Sequence, residues 1–538
     1  MHLCALLPLL LLPTTQPSPF VIANPAGPAR VDYLIVAADD YVTACDPLLT
    51  LRKTQGLEVG LTSLTEACAA TGQALGAPAL IAFLRHAHDD WGTRYVLLVG
   101  AAIGAPGQVI PMSLERARYY SPDFVSSPDL ATDFAYSALG DGAPVLHVGR
   151  FPARSLAEAR VMVAKTVAYE TALKPGLWQR RISFLAGQPA LNPLVDAAIE
   201  SLFGQVVSQD IPEGYDVEVA YAEPKSSYCP SPSRFHQNAV RLINQGSLLC
   251  AYVGHGMRTG FDDLRWQGRS FPILGSEDLG EIDASAGPPV MAVIACWTGQ
   301  LDSPAGPCVA EGLLKLPGGP VALLASSRIC QPYGNALLGK ALVGSLLGRP
   351  QARLGDALDE ARTRLLATEQ DAFRRQVDTL AGLVQGPQSL PGIRADTARH
   401  YNLLGDPALA LQRPALSLEL KVTRDDTGHL AVTGESPLES ANVVVSAECP
   451  RDQLARALEA LPEETSSNFE AAMNRRYVSA NDKAYVRAEA KLEGGHLRVE
   501  LTLPAGVKAP VIVKAFAWSA AASAMGATQA AVAGPPSR

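Results

Sequence analysis

The chain has 538 residues, a formal net charge of -8, 48% hydrophobic residues and 18% charged residues. That length exceeds one hydrophobic core and points to two or three domains. The composition excludes wholesale disorder, and an acidic balance without any block of Lys or Arg argues against a nucleic-acid groove.

The first thirty residues read as a leader. An apolar run from Ala5 to Leu12 is broken by Pro8, and "VIA" ends at Ala23 in the manner of a cleavage site. This is the pattern of a secretory signal peptide and predicts a secreted or extracytoplasmic protein. No positive n-region precedes the run, so a disordered leader and an intracellular protein stay open. No later segment has the unbroken apolar length of a membrane span.

From residue 31 to about 180 strands and helices alternate. "YLIVAA" (33–38), "VGLTSL" (59–64) and "YVLLVGAA" (95–102) read as buried strands, with the helix "APALIAFLRHAHDDWG" between the last two. A loop-rich stretch, 104–142, ends in "TDFAYSALGDG". Then "VLHVGRFPARSLAEARVMVAKTVAYE" predicts strand, turn and helix, with Ser155 as N-cap and Glu158 three residues on.

A second series, 181–411, repeats the logic through "RISFLAG", "DVEVAYA", "LLCAYVGHG", "VMAVIAC" and "GPVALLASSR". Short apolar runs alternating with helices predict mostly parallel sheets covered on both faces. From 412 to 519 the texture becomes alternating apolar and polar, an antiparallel β domain with a helical insert at "PRDQLARALEALPEE". Residues 520–538, rich in Ala, Gly and Pro, are expected to form a flexible tail.

Two apolar runs end on reactive side chains. "LLCAYVGHG" leads to His255 and "VMAVIAC" to Cys296. Ligands of open α/β sheets bind beyond the carboxyl ends of the strands. A thiol and an imidazole meeting there suit nucleophilic catalysis: the ring takes the thiol proton, then returns it to the leaving amine. Gly254 and Gly256 let backbone and substrate approach closely. The N–H groups of Gly256 and Cys296 are candidates for an oxyanion hole. Taken singly, a structural histidine and a core cysteine are the simpler readings.

The nine cysteines are scattered without a CxxC pair, which predicts neither a zinc ribbon nor a dense disulfide framework. Cys308 reads as a packed thiol, His147 as a structural histidine, and Asp406 as the shaper of a turn before Pro407. Cys330 and Tyr333, in "SSRICQPYG", are expected to wall a substrate pocket. Asp262 and Asp263 could contact substrate or form a solvated turn.

"YVGHG", "VIACWTGQLD", "PCVAEGLLKLPGGPVALLASSR" and "YNLLGDPALAL", in that order, resemble the gingipain-type cysteine peptidases. "YLIVAADDY", "YVLLVG" and "TDFAYSALGDG" leading to "VGRFPARSLAEA" resemble the first subdomain of that family, so the likeness covers about residues 31–411. It implies two caspase-like α/β subdomains followed by an immunoglobulin-like β-sandwich, with Cys296 as nucleophile and His255 as base. It implies protein or peptide substrates. The chemistry needs no cofactor, while structural calcium is an expectation from relatives, without named ligands.

The pattern departs at "FLAGQPALNP". The family carries there an acidic residue that orients the catalytic histidine. Here Gly187, Gln188 and Asn192 occupy the stretch, so Gln188 or Asn192 is the expected orienter. Arg or Lys specificity is not carried over, because the loop offers only Asp196. The sequence thus predicts a cysteine endopeptidase acting through an acyl-enzyme. A weak or inactive homologue serving as a binding module, and a sortase-like transpeptidase, stay open beside it.

Overall fold

The computed structural model describes residues 30–119, 128–140, 142–188, 193–349, 352–368, 371–507 and 510–532. The expected leader and Asn192 lie outside these residues.

Ten segments build the main sheet: β1 (Tyr33–Ala37), β2 (Val59–Ser63), β3 (Tyr95–Val99), β4 (His147–Phe151), β5 (Arg181–Ala186), β6 (Asp216–Tyr221), β7 (Leu249–Val253), β8 (Val290–Ile294), β9 (Ala322–Ser326) and β10 (Tyr401–Leu404). Their spatial order is β2-β1-β3-β4-β10-β9-β8-β7-β5-β6. Every pair is parallel except β9 and β10. β1, β3, β8 and β9 are buried at every position, as strands with helices on both faces must be.

The two α/β halves therefore share one sheet. The join is β10, which follows the long helices of the second half and inserts between β4 and β9. Its run "YNLL" announces a buried strand, but nothing local announces its direction.

Buried ion pairs hold this seam. Arg52, fully buried, donates to Glu170 and to Asp406, at 2.7 and 2.6 Å for its Nη2 atom. Asp406 also accepts the Ala408 N–H, so it shapes the expected turn and ties it to the first half. Beside the seam, within the first half, Arg150 grips Asp133 through two 2.7 Å bonds. Removing one member of such a pair strands a buried charge, at a cost of about 3–5 kcal/mol. Ser155 caps the helix Leu156–Thr171 by accepting the Glu158 N–H, as its sequence predicts.

The C-terminal strands fall in one nine-membered order, in which Ala484–Glu493 and His496–Thr502 pair only at Glu493 with His496, so the order parts there into two groups of strands. Leu416–Ser417 pairs with Ser523–Gln529, and Glu419–Arg424, the continuation of the same segment, pairs with His429–Glu435 at the other end of the strand order. One extended segment thus closes the sheet on itself, around a core that includes Leu418, Val432, Val443, Val445, Leu501 and Val513.

Two expectations are corrected here. The stretch from 520 is not loose throughout: Ser523–Gln529 pairs along the whole of Ile512–Trp518, which would otherwise be an open edge. The helix of this region is Phe469–Asn481, not 450–464. Arg451 is pinned to the carbonyls of Pro212 and Tyr215, which holds its segment of turns and bends against the α/β unit. The true helix packs on that unit through Phe469, stacked on Trp266 with centroids 5.0 Å apart. No helix among the described residues is long and apolar enough to cross a membrane.

Candidate active site at the ends of two neighbouring strands

β7 and β8 are parallel neighbours in the register Val253 to Ile294. His255 and Cys296 each follow the paired ends by two residues, and the Gly254 N–H donates to the Ile294 carbonyl at 3.3 Å. His255 and Cys296 thus lie at the same carboxyl edge of the sheet, just past neighbouring strands.

Among the eight described cysteines, all free, Cys296 alone is not buried. Burial raises the thiol pKa of Cys45, Cys68, Cys229, Cys250, Cys308 and Cys449. The Cys296 thiol is lowered instead. The chief cause is a hydrogen bond from the Cys330 thiol, which outweighs desolvation; the Cys330 N–H and the His255 charge add to it. The two sulfurs lie 3.7 Å apart, and the Cys330 N–H is 3.4 Å from Cys296 Sγ. Cys330, buried and holding its proton beside that sulfur, is pushed well up.

The turn after Cys296 is tight. Trp297 has φ 58, a left-handed conformation that a bulky residue adopts only when its surroundings impose it. Its N–H donates to the Arg328 carbonyl at 3.2 Å, and the Gly299 N–H to that of Ser326 at 2.8 Å. Arg328 grips Asp302 through both carboxylate oxygens, at 2.8 and 2.7 Å, and so ties the loop after β8 to the loop after β9.

Gly256 opens a two-residue hairpin, Gly256–Met257 with Gly260–Phe261. A Cβ at Gly256 would meet Ala295 Cβ, the Cys296 carbonyl and Thr298 Cγ2, each at 2.8 Å. The glycine is there because the backbones of the two strand-end loops touch.

The residue that sequence reasoning missed is Tyr252. Its hydroxyl donates to the His255 carbonyl at 2.6 Å and accepts the Asp262 N–H at 3.2 Å. Its ring stacks on Phe261 with centroids 3.8 Å apart and planes 3° from parallel. Gly187 and Gly254 make room for it: a Cβ on either would meet the hydroxyl, at 2.8 and 2.7 Å. The signal was the pair of glycines at matching strand ends.

Gln188 is engaged elsewhere. Its amide nitrogen donates to Glu223 and its oxygen accepts the Arg265 N–H at 3.2 Å. Asp263 accepts from Ser270 at 2.6 Å inside the hairpin Asp263–Trp266 with Arg269–Pro272. Asp262 is half-buried and contributes its main chain to the Tyr252 cluster. Tyr333 starts the helix Pro332–Gly348, three residues beyond Cys330; it is buried, and its hydroxyl is taken by Asp378 and Arg394. Cys308 is packed at the start of Val309–Lys315, as expected.

Calcium was expected without named ligands. In the "TDFAYSALGDG" loop, Asp133 is taken by Arg150, and Asp141 lies outside the described residues. The group of His236, Asp278 and Glu281 offers a ring nitrogen, which does not suit the all-oxygen shell of calcium. These residues do not fit a calcium ion.

The model of peptidase family C25 matches residues 27–412. The crystal structure of the Arg-specific cysteine proteinase gingipain R (RgpB) superposes with a TM-score of 0.51 at 14% identity, over 94% of this chain and 99% of that one. The complex of Porphyromonas gingivalis RgpB pro- and mature domains gives a TM-score of 0.51 at 14% identity, over 93% and 100%. A structure described as a protease gives 0.52 at 15% identity, over 94% and 98%. No curated protein matches the chain.

Proposed function

The chain belongs to peptidase family C25, and from that premise we propose that it is a cysteine endopeptidase with Cys296 as nucleophile and His255 as general base and acid. One observation carries this reading: of the described thiols, only Cys296 is both partly exposed and lowered in pKa, and it shares a sheet edge with an imidazole.

In the proposed cycle His255 takes the Cys296 proton and the thiolate sulfur attacks the scissile carbonyl carbon. The carbonyl oxygen gathers negative charge, and the N–H groups of Gly256 and Cys296 receive it. Hairpin register supports the first donor. In a two-residue hairpin the pair beside the loop carries the ladder bonds, here Met257 and Gly260, so the Gly256 N–H is directed away from Phe261. The Phe261 N–H accordingly bonds outward to Leu274, at 2.8 Å. Collapse of the adduct breaks the C–N bond, and His255 protonates the departing amine. Water, deprotonated by His255, then cleaves the thioester.

Tyr252 serves this cycle as a positioning residue. It fixes the His255 main chain from below, at the place where a side chain on residue 187 would otherwise stand. The substrate is a protein or peptide, and Arg or Lys specificity is not carried over, since Gly187 and Gln188 bring no acid to the site. We place its action outside the cytoplasm, a reading that the apolar run from Ala5 to Leu12 supports.

Cleavage of a peptide library by the purified chain, with Cys296→Ala and His255→Ala in parallel, tests the proposal. Cleavage that needs both residues is the expected result. Gly187, lacking a carboxylate, favours a second reading, an inactive homologue that binds protein. Folded wild-type protein that binds library peptides without cutting them would establish that reading instead.

A further inference from the structure

β8 and β9 are parallel neighbours in the register Val293 to Ala325, so the loops that follow them lie side by side at the carboxyl edge. Those loops carry Cys296 and Cys330, whose sulfurs are 3.7 Å apart. The pairing is built rather than incidental. The Cys330 N–H points at Cys296 Sγ, at 3.4 Å. Asn335 Nδ2 donates to Cys330 Sγ at 3.2 Å, and the Tyr401 hydroxyl lies 3.3 Å from the same sulfur. Access is unequal: Cys330 is 6% exposed, whereas Cys296 is partly open.

We propose that Cys330 is a modification site, the resolving thiol that captures an oxidised Cys296 as an intrachain disulfide when a hydroperoxide reaches the site. The open thiolate meets the peroxide first. Cys296 Sγ attacks the outer peroxide oxygen, the O–O bond breaks, and the sulfur keeps that oxygen and its proton as a sulfenic acid. The other oxygen leaves and takes a proton from solvent, as an alcohol, or as water when the reagent is hydrogen peroxide. Cys330 Sγ then attacks the sulfenic sulfur, the S–O bond breaks, and the departing hydroxide takes the Cys330 proton as a second water. Two electrons have passed from the sulfurs to the peroxide.

The geometry suits the second step. The sulfurs must close from 3.7 Å to about 2.05 Å. Cys330 lies in an irregular segment between β9 and the helix at Pro332, where the backbone can follow its side chain. A buried partner thiol also spares Cys296 the irreversible sulfinic and sulfonic steps. A dithiol reductant reverses the bond by exchange. Loss of peptidase activity on oxidation rests on Cys296 being the nucleophile; the crosslink does not.

The test treats the purified full chain with hydrogen peroxide in small molar excess, then maps disulfides by proteolysis and mass spectrometry without reduction. A peptide pair joining Cys296 to Cys330, lighter by two hydrogens and released by dithiothreitol, is expected. Activity should fall as that species forms and return on reduction. Cys330→Ser keeps the backbone N–H and should instead accumulate sulfinic and sulfonic Cys296, which dithiothreitol does not rescue. Oxidised Cys296 without the Cys330 crosslink, in wild-type protein of unchanged circular dichroism, overturns the proposal and needs no variant. A crosslink that forms while Cys296→Ala still cleaves peptide would uphold the redox site and sink the nucleophile assignment.

Discussion

The Tyr252 hydroxyl donates a 2.6 Å hydrogen bond to the His255 carbonyl, from a ring stacked face to face on Phe261. A side chain inside a strand thus fixes the main chain of the residue proposed as base, two residues past that strand's end. Tyr252→Phe keeps the stack and removes the bond. It leaves the Asp262 N–H and His255 carbonyl short of a partner, a cost of about 1–3 kcal/mol. The expected result is a fall of about tenfold in kcat with KM little changed, since one tenfold step is about 1.4 kcal/mol. An unaltered kcat in folded protein would deny Tyr252 a positioning role.

Gly187 and Tyr252 should be energetically coupled. A Cβ at Gly187 meets the hydroxyl at 2.8 Å and Gly254 Cα at 3.4 Å. Gly187→Ala alone is expected to destabilise by about 1–3 kcal/mol through overpacking. In the Tyr252→Phe background the penalty should shrink, giving a coupling of about 0.5 kcal/mol or more by urea denaturation. Strict additivity would mean that the space is not shared.

Gly256→Ala places a methyl against three atoms at 2.8 Å, one of them the Cys296 carbonyl. The loop must shift to admit it, and the two strand-end loops separate. Hydrolysis should fall by about a hundredfold, the scale of a lost oxyanion donor. A peptide-cleavage assay with a folded-state control reads this directly, and activity within about twofold of wild type would remove Gly256 from the proposed oxyanion hole.

His147 provides a pH test remote from the site. Burial lowers its pKa, but bonds to Asp356 at 3.0 Å and Asp359 at 2.9 Å outweigh that and raise it from 6.5 to about 9. A raised folded-state value stabilises fully below the unfolded value and is lost as pH climbs through the folded one. Stability should therefore decline between about pH 6.5 and 9, by about 2 kcal/mol from this cluster. Asp359→Asn should flatten that decline in urea titrations at several pH values, and an unchanged slope would assign the pH dependence elsewhere.

Much of this was legible in the sequence because parallel strands are buried on both faces. "YLIVAA", "YVLLVGAA", "LLCAYVGHG" and "VMAVIAC" show it as plain apolar runs, and a reactive residue after such a run marks a strand end. His255 and Cys296 were found that way. What stayed hidden depends on pairing between distant segments. Nothing in "YNLLGDPALAL" tells that β10 runs against β9 and joins the two halves. Nothing in "SSRICQPYG" tells that a second sulfur stands 3.7 Å from Cys296. The barrel closure through 416–424 and the strand Ser523–Gln529 are likewise matters of register, which short-range pattern does not encode. The helix misplaced to 450–464 shows tertiary anchoring, here of Arg451, overriding local propensity.

The most direct test of the central claim is covalent capture of the nucleophile. The chain would be treated with a panel of peptidyl acyloxymethyl ketones, and the adduct located by peptide mass spectrometry in wild-type protein and in His255→Ala. The account predicts an adduct on Cys296 in wild type, strongly slowed without the imidazole, with the best reagent naming the preferred side chain. Labelling on another cysteine, or none on Cys296 in folded protein that still cleaves peptide, would contradict it.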